Sequence, residues 1–161
     1  MKKYWFYFPA LLLILSSCNH WDQLRVYEKN IGIPHYAWLD TFNPTYTVNI
    51  TDTNSRYNIY VTLRHTDAYR FSNIWLQITT QFPSAQPLKE RVELPLARQS
   101  GKWLGSGMDG IYSHRILIQQ NAIFNKIGTY HFTFHQDMRD NPLQQVMDVG
   151  LRIEKSGRRQ P

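Results

Sequence analysis

Chemistry in this 161-residue chain narrows quickly to one thiol. Cys18 is the only cysteine, and it follows Leu15-Ser16-Ser17. A cysteine alone among the side chains can become a thioether. Other candidates are weaker. His131, His135 and Asp137 alternate along one face of a predicted strand. With a rise of about 3.3 Å per residue, the two histidines stand ~13 Å apart at Cα. A zinc ion holds each ligand at only about 2 Å, so they do not converge on one metal. Gly105-Ser106-Gly107 is shorter than the five-residue turn of a nucleophile elbow. The eight Asp and four Glu fall mostly in predicted loops, with no facing pair indicated. The expectation is therefore no enzyme, no cofactor and no metal. Tyr60 and Trp75 remain as tentative glycan-stacking residues, since both oppose aliphatic stripes amid Asn58, Thr62, Gln77 and Thr79.

The segment before Cys18 has three parts in order. Lys2 and Lys3 are cationic, Tyr4 to Leu15 is apolar apart from Pro9, and Ser16 and Ser17 are small. This is the layout of a secretory signal peptide. The apolar run is shorter than the ~20 residues of a membrane span. An aliphatic residue, two small residues and a cysteine resemble the bacterial lipobox. That resemblance implies cleavage before Cys18, an S-diacylglycerol on its sulfur and an acyl group on the new amine. At about 0.8 kcal/mol per buried CH₂, two or three such chains hold a protein on a membrane almost permanently.

The expected organisation is a signal peptide over 1–17, a lipidated N-terminus and tether over 18–34, a domain over 35–155 and a tail over 156–161. That is one domain with room for a real core. Without Lys2 and Lys3 the chain carries sixteen Lys and Arg against twelve Asp and Glu. The basic residues are scattered, apart from Arg158-Arg159, which reads as a frayed end. No basic stripe exists to bind nucleic acid. With Cys18 lipidated, no thiol remains for a disulfide, and the fold must stand on its core.

The dominant period after Tyr36 is two. Tyr46, Val48 and Ile50, then Tyr57, Ile59, Val61 and Leu63, alternate with polar neighbours around the turn formers 51–55, which reads as a β-hairpin. Ile74, Leu76, Ile78, Thr80 and Phe82 form the next stripe, closed by Pro83 to Pro87. A strand over 91–96 carries Pro95, which suggests an edge. The glycine-rich loop 101–110 surrounds Trp103, read as a core plug. Strands follow over 111–119, 129–138 and 146–155, with Val149, Leu151 and Ile153 inward. A helical turn is expected over 121–126, capped by Asn121 and ended by Gly128. Gly150, within a strand, predicts a bulge or a close backbone approach. About eight short strands without crossover helices indicate an all-β antiparallel sandwich, jelly-roll-like or immunoglobulin-like.

Several stretches together resemble one family, the gliding-motility lipoproteins of the GldH type from the Bacteroidetes. They are the lipobox at Cys18, the segment 42–52, Asn73-Ile74-Trp75-Leu76, Gly101-Lys102-Trp103-Leu104-Gly105 and Met138-Arg139-Asp140-Asn141-Pro142-Leu143. The last leads into Asp148-Val149-Gly150-Leu151-Arg152-Ile153-Glu154-Lys155. The resemblance implies a non-enzymatic accessory lipoprotein, tied to gliding motility and the linked type IX secretion machinery, that acts by protein–protein contact. It carries over Cys18 as the lipid attachment site and no catalytic residue. Arg139 and Asp140 are tentative partner-surface residues, with turn stabilisation as the structural alternative. The expected location is the cell envelope, lipid-anchored, in the outer membrane and facing the periplasm, since Asn19-His20 begins no acidic run.

Overall fold

The computed structural model describes residues 24–159. Cys18, the signal peptide and the first part of the tether lie outside the described residues. The strands run β1 (Arg25–Gly32), β2 (Ala37–Trp38), β3 (Thr45–Ile50), β4 (Ser55–Thr66), β5 (Asn73–Gln81), β6 (Leu88–Pro95), β7 (Ser106–Met108), β8 (Ile111–Ala122), β9 (Gly128–Gln136), β10 (Leu143–Gln144) and β11 (Val146–Arg158). One sheet has the order β1-β11-β4-β8-β7 and the other β3-β9-β5-β6, while β2 and β10 form a small ribbon. Every pairing is antiparallel, as the sandwich expectation required.

The alternating stripes meet between the sheets. Ile59, Val61, Leu63, Val149, Leu151 and Ile153 come from the five-stranded sheet, and all are buried. Tyr46, Val48, Ile50, Ile74, Leu76, Phe132 and Phe134 face them from the other. Fully burying each such aliphatic side chain contributes about 1.5–3 kcal/mol. The Tyr46 hydroxyl crosses the core to donate to the Val149 carbonyl at 2.7 Å, which satisfies a buried polar group and ties the sheets together. Burial pushes that phenol well above its ordinary pKa. Pro95 does lie on an edge strand, and Trp103 packs against the core.

Local readings needed correction where pairing, rather than burial, was at stake. β3 and β4 do not form a hairpin. They belong to different sheets, and the connection between them arches over the end of the sandwich. Both strands bury a stripe in the same core from opposite sides, so alternation alone cannot separate the two geometries. The arch is organised by Asp52. Its carboxylate accepts from Ser55 Oγ at 2.6 Å, the Asn54 N–H at 2.8 Å and Lys155 Nζ at 2.6 Å. The helical turn over 121–126 is absent, because β8 continues to Ala122 with Asn121 at a positive φ of 54°. β4 runs past the Tyr57–Leu63 stripe to Thr66 and includes His65. Residues 25–32, read as part of the tether, form β1 and pair along β11 from Arg25↔Glu154 to Gly32↔Asp148.

The bond from Lys155, then those from Ser55 and Asn54, hold the Asp52 carboxyl well below its ordinary range. A carboxyl depressed on folding stabilises the native state above its unfolded pKa of about 4, and that contribution fades as pH falls. Asp52→Asn should therefore lower Tm at pH 7, with the gap to the parent narrowing below about pH 4. Thermal melts across pH check this, and a gap constant down to pH 2 would contradict it.

Candidate functional site

The outer face of the five-stranded sheet carries a cluster of ion pairs. β11 contributes Asp148, Gly150, Arg152 and Glu154 to this face; β1 adds Glu28 and Asn30, β4 Asn58, Tyr60, Thr62 and Arg64, and β8 Ser113, Arg115 and Leu117. The central row explains its shape. Gly150 lies beside Asn30 on one side and Thr62 on the other, and a Cβ built on it would stand 1.8 Å from Asn30 Oδ1. The missing side chain lets Asn30 reach across β11 and accept from Thr62 Oγ1 at 2.6 Å. This is the close backbone approach expected at Gly150, and the bulges of β11 fall elsewhere, near Val146 and Lys155.

One end of the trough is a line of alternating charges. Arg152, almost fully buried, donates to Glu28 and, through Nε at 2.5 Å, to Glu154. Arg25 reaches Glu28 at 3.1 Å, and Arg115 stands 3.9 Å from Glu154. Burial opposes ionisation of Glu28, yet the hydrogen bond from Arg25 and the charge of Arg152 outweigh it and hold its pKa below the ordinary value. Burial likewise opposes the Arg152 charge, and its bond to Glu154 and the charge of Glu28 raise its pKa in spite of that. At the other end Arg64 Nε donates to Asp148 Oδ2 at 2.5 Å. Asp148 is 3% exposed, and its Oδ1 has no hydrogen-bond partner among the described residues. It borders a recess of about 480 Å³ that also reaches Thr62, Arg64, Ser106, Ser113 and Arg115.

A pair of histidines lies behind this recess. His65 Nδ1 donates to the Thr66 carbonyl at 2.7 Å, which leaves Nε2 as an acceptor for His114 Nε2–H at 2.9 Å; the protons are assigned from this network. Burial lowers both pKa values, that of His114 to about 4 with a further contribution from His65, so both are neutral at pH 7. Trp103 packs on His65 at 4.4 Å between ring centroids. The pair is enclosed by aromatic rings and contributes a neutral, bonded wall. A separate, mostly apolar cleft of about 310 Å³ lies between β6 and β8, bordered by Ile59, Phe82, Leu88, Ala122 and Phe124.

The residues singled out from the sequence are scattered. Tyr60 and Trp75 are both half-buried, but they project from different sheets on opposite outer faces. They cannot grip one sugar, and that joint glycan site is not formed. Arg91 covers the Trp75 ring at 4.0 Å and also donates to Asp137. His131 pairs with Thr47 at 3.1 Å and His135 with Asn43 at 3.0 Å. Arg139 is exposed on the connection after β9, where the Asp140 carbonyl accepts from Gln136 at 3.3 Å and Asn141 accepts from the Asp40 N–H at 3.1 Å. Sequence reasoning missed the trough, since Glu28 and Arg152 are 124 residues apart. The one available signal was Gly150 among Asp148, Arg152 and Glu154.

The fold and this face define an all-β antiparallel sandwich with a recessed, charge-paired outer surface. Residues 25–153 match the model of the GldH lipoprotein family, and the chain belongs to that family. A relative described as a gliding motility lipoprotein GldH homolog, from Christiangramia forsetii, is 28% identical over 158 residues, covering 94% of each chain. The gliding motility lipoprotein GldH of Flavobacterium johnsoniae is 27% identical over 152 residues, covering 89% of this chain and 91% of that one. Among solved structures, a carbohydrate-binding module specific for non-crystalline cellulose is similar at 10% identity and a TM-score of 0.44, over 81% of this chain and 73% of that one. Likeness at that level carries no functional argument. Family membership makes the chain a gliding-motility lipoprotein of the cell envelope.

Gly150→Ala should destabilise the domain by about 1–3 kcal/mol, because the new methyl group displaces Asn30 and crowds the Lys29 carbonyl 2.7 Å away. Urea unfolding checks this. A variant as stable as the parent would contradict the close approach.

Proposed function

We propose that this chain is anchored through Cys18 and acts without catalysis, by protein–protein contact, as an accessory component of gliding motility and the linked type IX secretion machinery. Cys18 carries an S-diacylglycerol and an N-acyl chain such as palmitate after removal of residues 1–17. The domain faces the periplasm from the outer membrane. One observation carries the contact reading: the trough sets the exposed guanidinium groups of Arg64 and Arg115 beside a recess bordered by the buried carboxylate of Asp148. Those exposed N–H groups are open to acceptors on a partner, and charge-assisted hydrogen bonds of that kind are the strong ones. Paired charges around the recess favour a polar, shape-defined contact and discriminate between partners more than they add affinity. Arg139 and Asp140, on the connection after β9, are a second candidate contact point.

Two fractions test this. Wild-type protein should sediment with envelopes and, after crosslinking at native expression, co-purify with motility or secretion components. Cys18→Ala should shift it to the soluble fraction. Co-purification of none of those components would overturn the contact reading, and unchanged sedimentation of the Cys18 variant would overturn the anchor.

A further inference from the structure

We propose that the end of the sandwich where the chain enters is a contact surface for an anionic lipid bilayer, with Ile123 and Ile127 seated among the headgroups. This rests on the Cys18 anchor proposed above and adds the face that the anchor presents. The sheet register places this end. Arg25 lies beside Glu154, Glu154 beside Asn58, and Asn58 Oδ1 accepts from the Asn121 N–H at 3.0 Å. Strands are spaced about 4.8 Å apart, so the chain's entry point and the end of β8 are ~15 Å apart on one rim. Lys155 N–H donates to the Leu24 carbonyl at 2.8 Å on that same rim. The other sheet ends there too, since Ile50 pairs with Gly128, and Gly128 lies against Pro83.

Four segments therefore crowd this end: 51–54, 82–87, 123–127 and 156–159. Their chemistry is one-sided. Ile127 is 65% exposed and Ile123 39%, and Leu24 and Leu88 are open on the same rim. Lys126, Arg158 and Arg159 are exposed. The one carboxylate on these four segments is Asp52, which is already engaged by Lys155. Exposed apolar residues beside unpaired cations are what an interfacial surface needs: the first enter the headgroup region and the second meet anionic phosphates.

Covalent reach points to the same face. Cys18 to Leu24 is six residue steps. At 3.3–3.6 Å each they span about 20 Å at most, while the twelve residues of β4 alone run ~40 Å along the body. A leash half the length of the domain keeps this rim nearest the bilayer.

The lipidated full chain supplies the test, because an acylated Cys18 leaves a newly introduced cysteine as the sole free thiol. Ile127→Cys and Met108→Cys, both at exposed positions, would carry an environment-sensitive fluorophore in vesicles with or without phosphatidylglycerol. A lipid-borne quencher should quench the label at 127 about threefold or more over the label at 108 in phosphatidylglycerol vesicles. Reversing charge with Lys126→Glu, Arg158→Glu and Arg159→Glu should bring the two labels level. Equal quenching at 127 and 108 on acylated protein would overturn the proposal alone. Quenching at 127 that ignores both phosphatidylglycerol and the charge reversal would overturn its anionic component. Labelling of wild-type protein at Cys18 would show a free thiol and overturn the anchor reading and this proposal together.

Discussion

The structure depends most on the seat of β11 between β1 and β4. β11 is thirteen residues long and pairs with a strand from each early part of the chain. Val149, Leu151 and Ile153 bury its inner side, while Asp148 and Arg152 bury charge on its outer side. Gly150 makes this possible at mid-strand, because Asn30 and Thr62 meet over it. A larger residue there would push β1 away and open the charge line that Glu28 closes on Arg152. Core, edge strand and trough thus share one close approach.

That arrangement explains why buried charge is tolerated here. Glu28, Arg152 and Glu154 satisfy one another, so taking them out of water leaves no bare ion. Such a line adds little net stability compared with apolar packing, but it ties β1 to β11 in one register. Asp148 lies apart from that line, bonded through Oδ2 to Arg64, with its carboxylate buried at the border of the recess. Fixed charges around a recess are suited to recognising a complementary partner.

What the sequence revealed was burial, and what it concealed was pairing. The stripes at 46–50, 57–63, 74–80 and 149–153 could be read directly, since each strand has one face in the core. The arch between β3 and β4 could not, because a hairpin and an arch bury the same residues. β1 left little pattern: it is an edge strand with only Tyr27 and Ile31 partly covered, so alternation was faint. The histidine pair joins positions 49 residues apart, and neither histidine sits in a motif. Tyr60 and Trp75 show the reverse failure. Alternation correctly turned both rings outward, yet it carries no information on which sheet each strand joins. Gly150 was legible because a glycine inside a strand needs a reason, and here the reason is local.

The rim at Leu24 lies at the end of the sheet, while the recess at Asp148 lies on its face. An anchored domain can therefore use one surface against the bilayer and leave the other free. A photo-crosslinking residue placed at Arg115, on the trough, and at Thr79, on the outer face of the other sheet, tests this most directly in living cells at native expression. The account predicts a light-dependent adduct to a motility or secretion component from position 115 and none from 79. Adducts to such a component from 79 alone would contradict it.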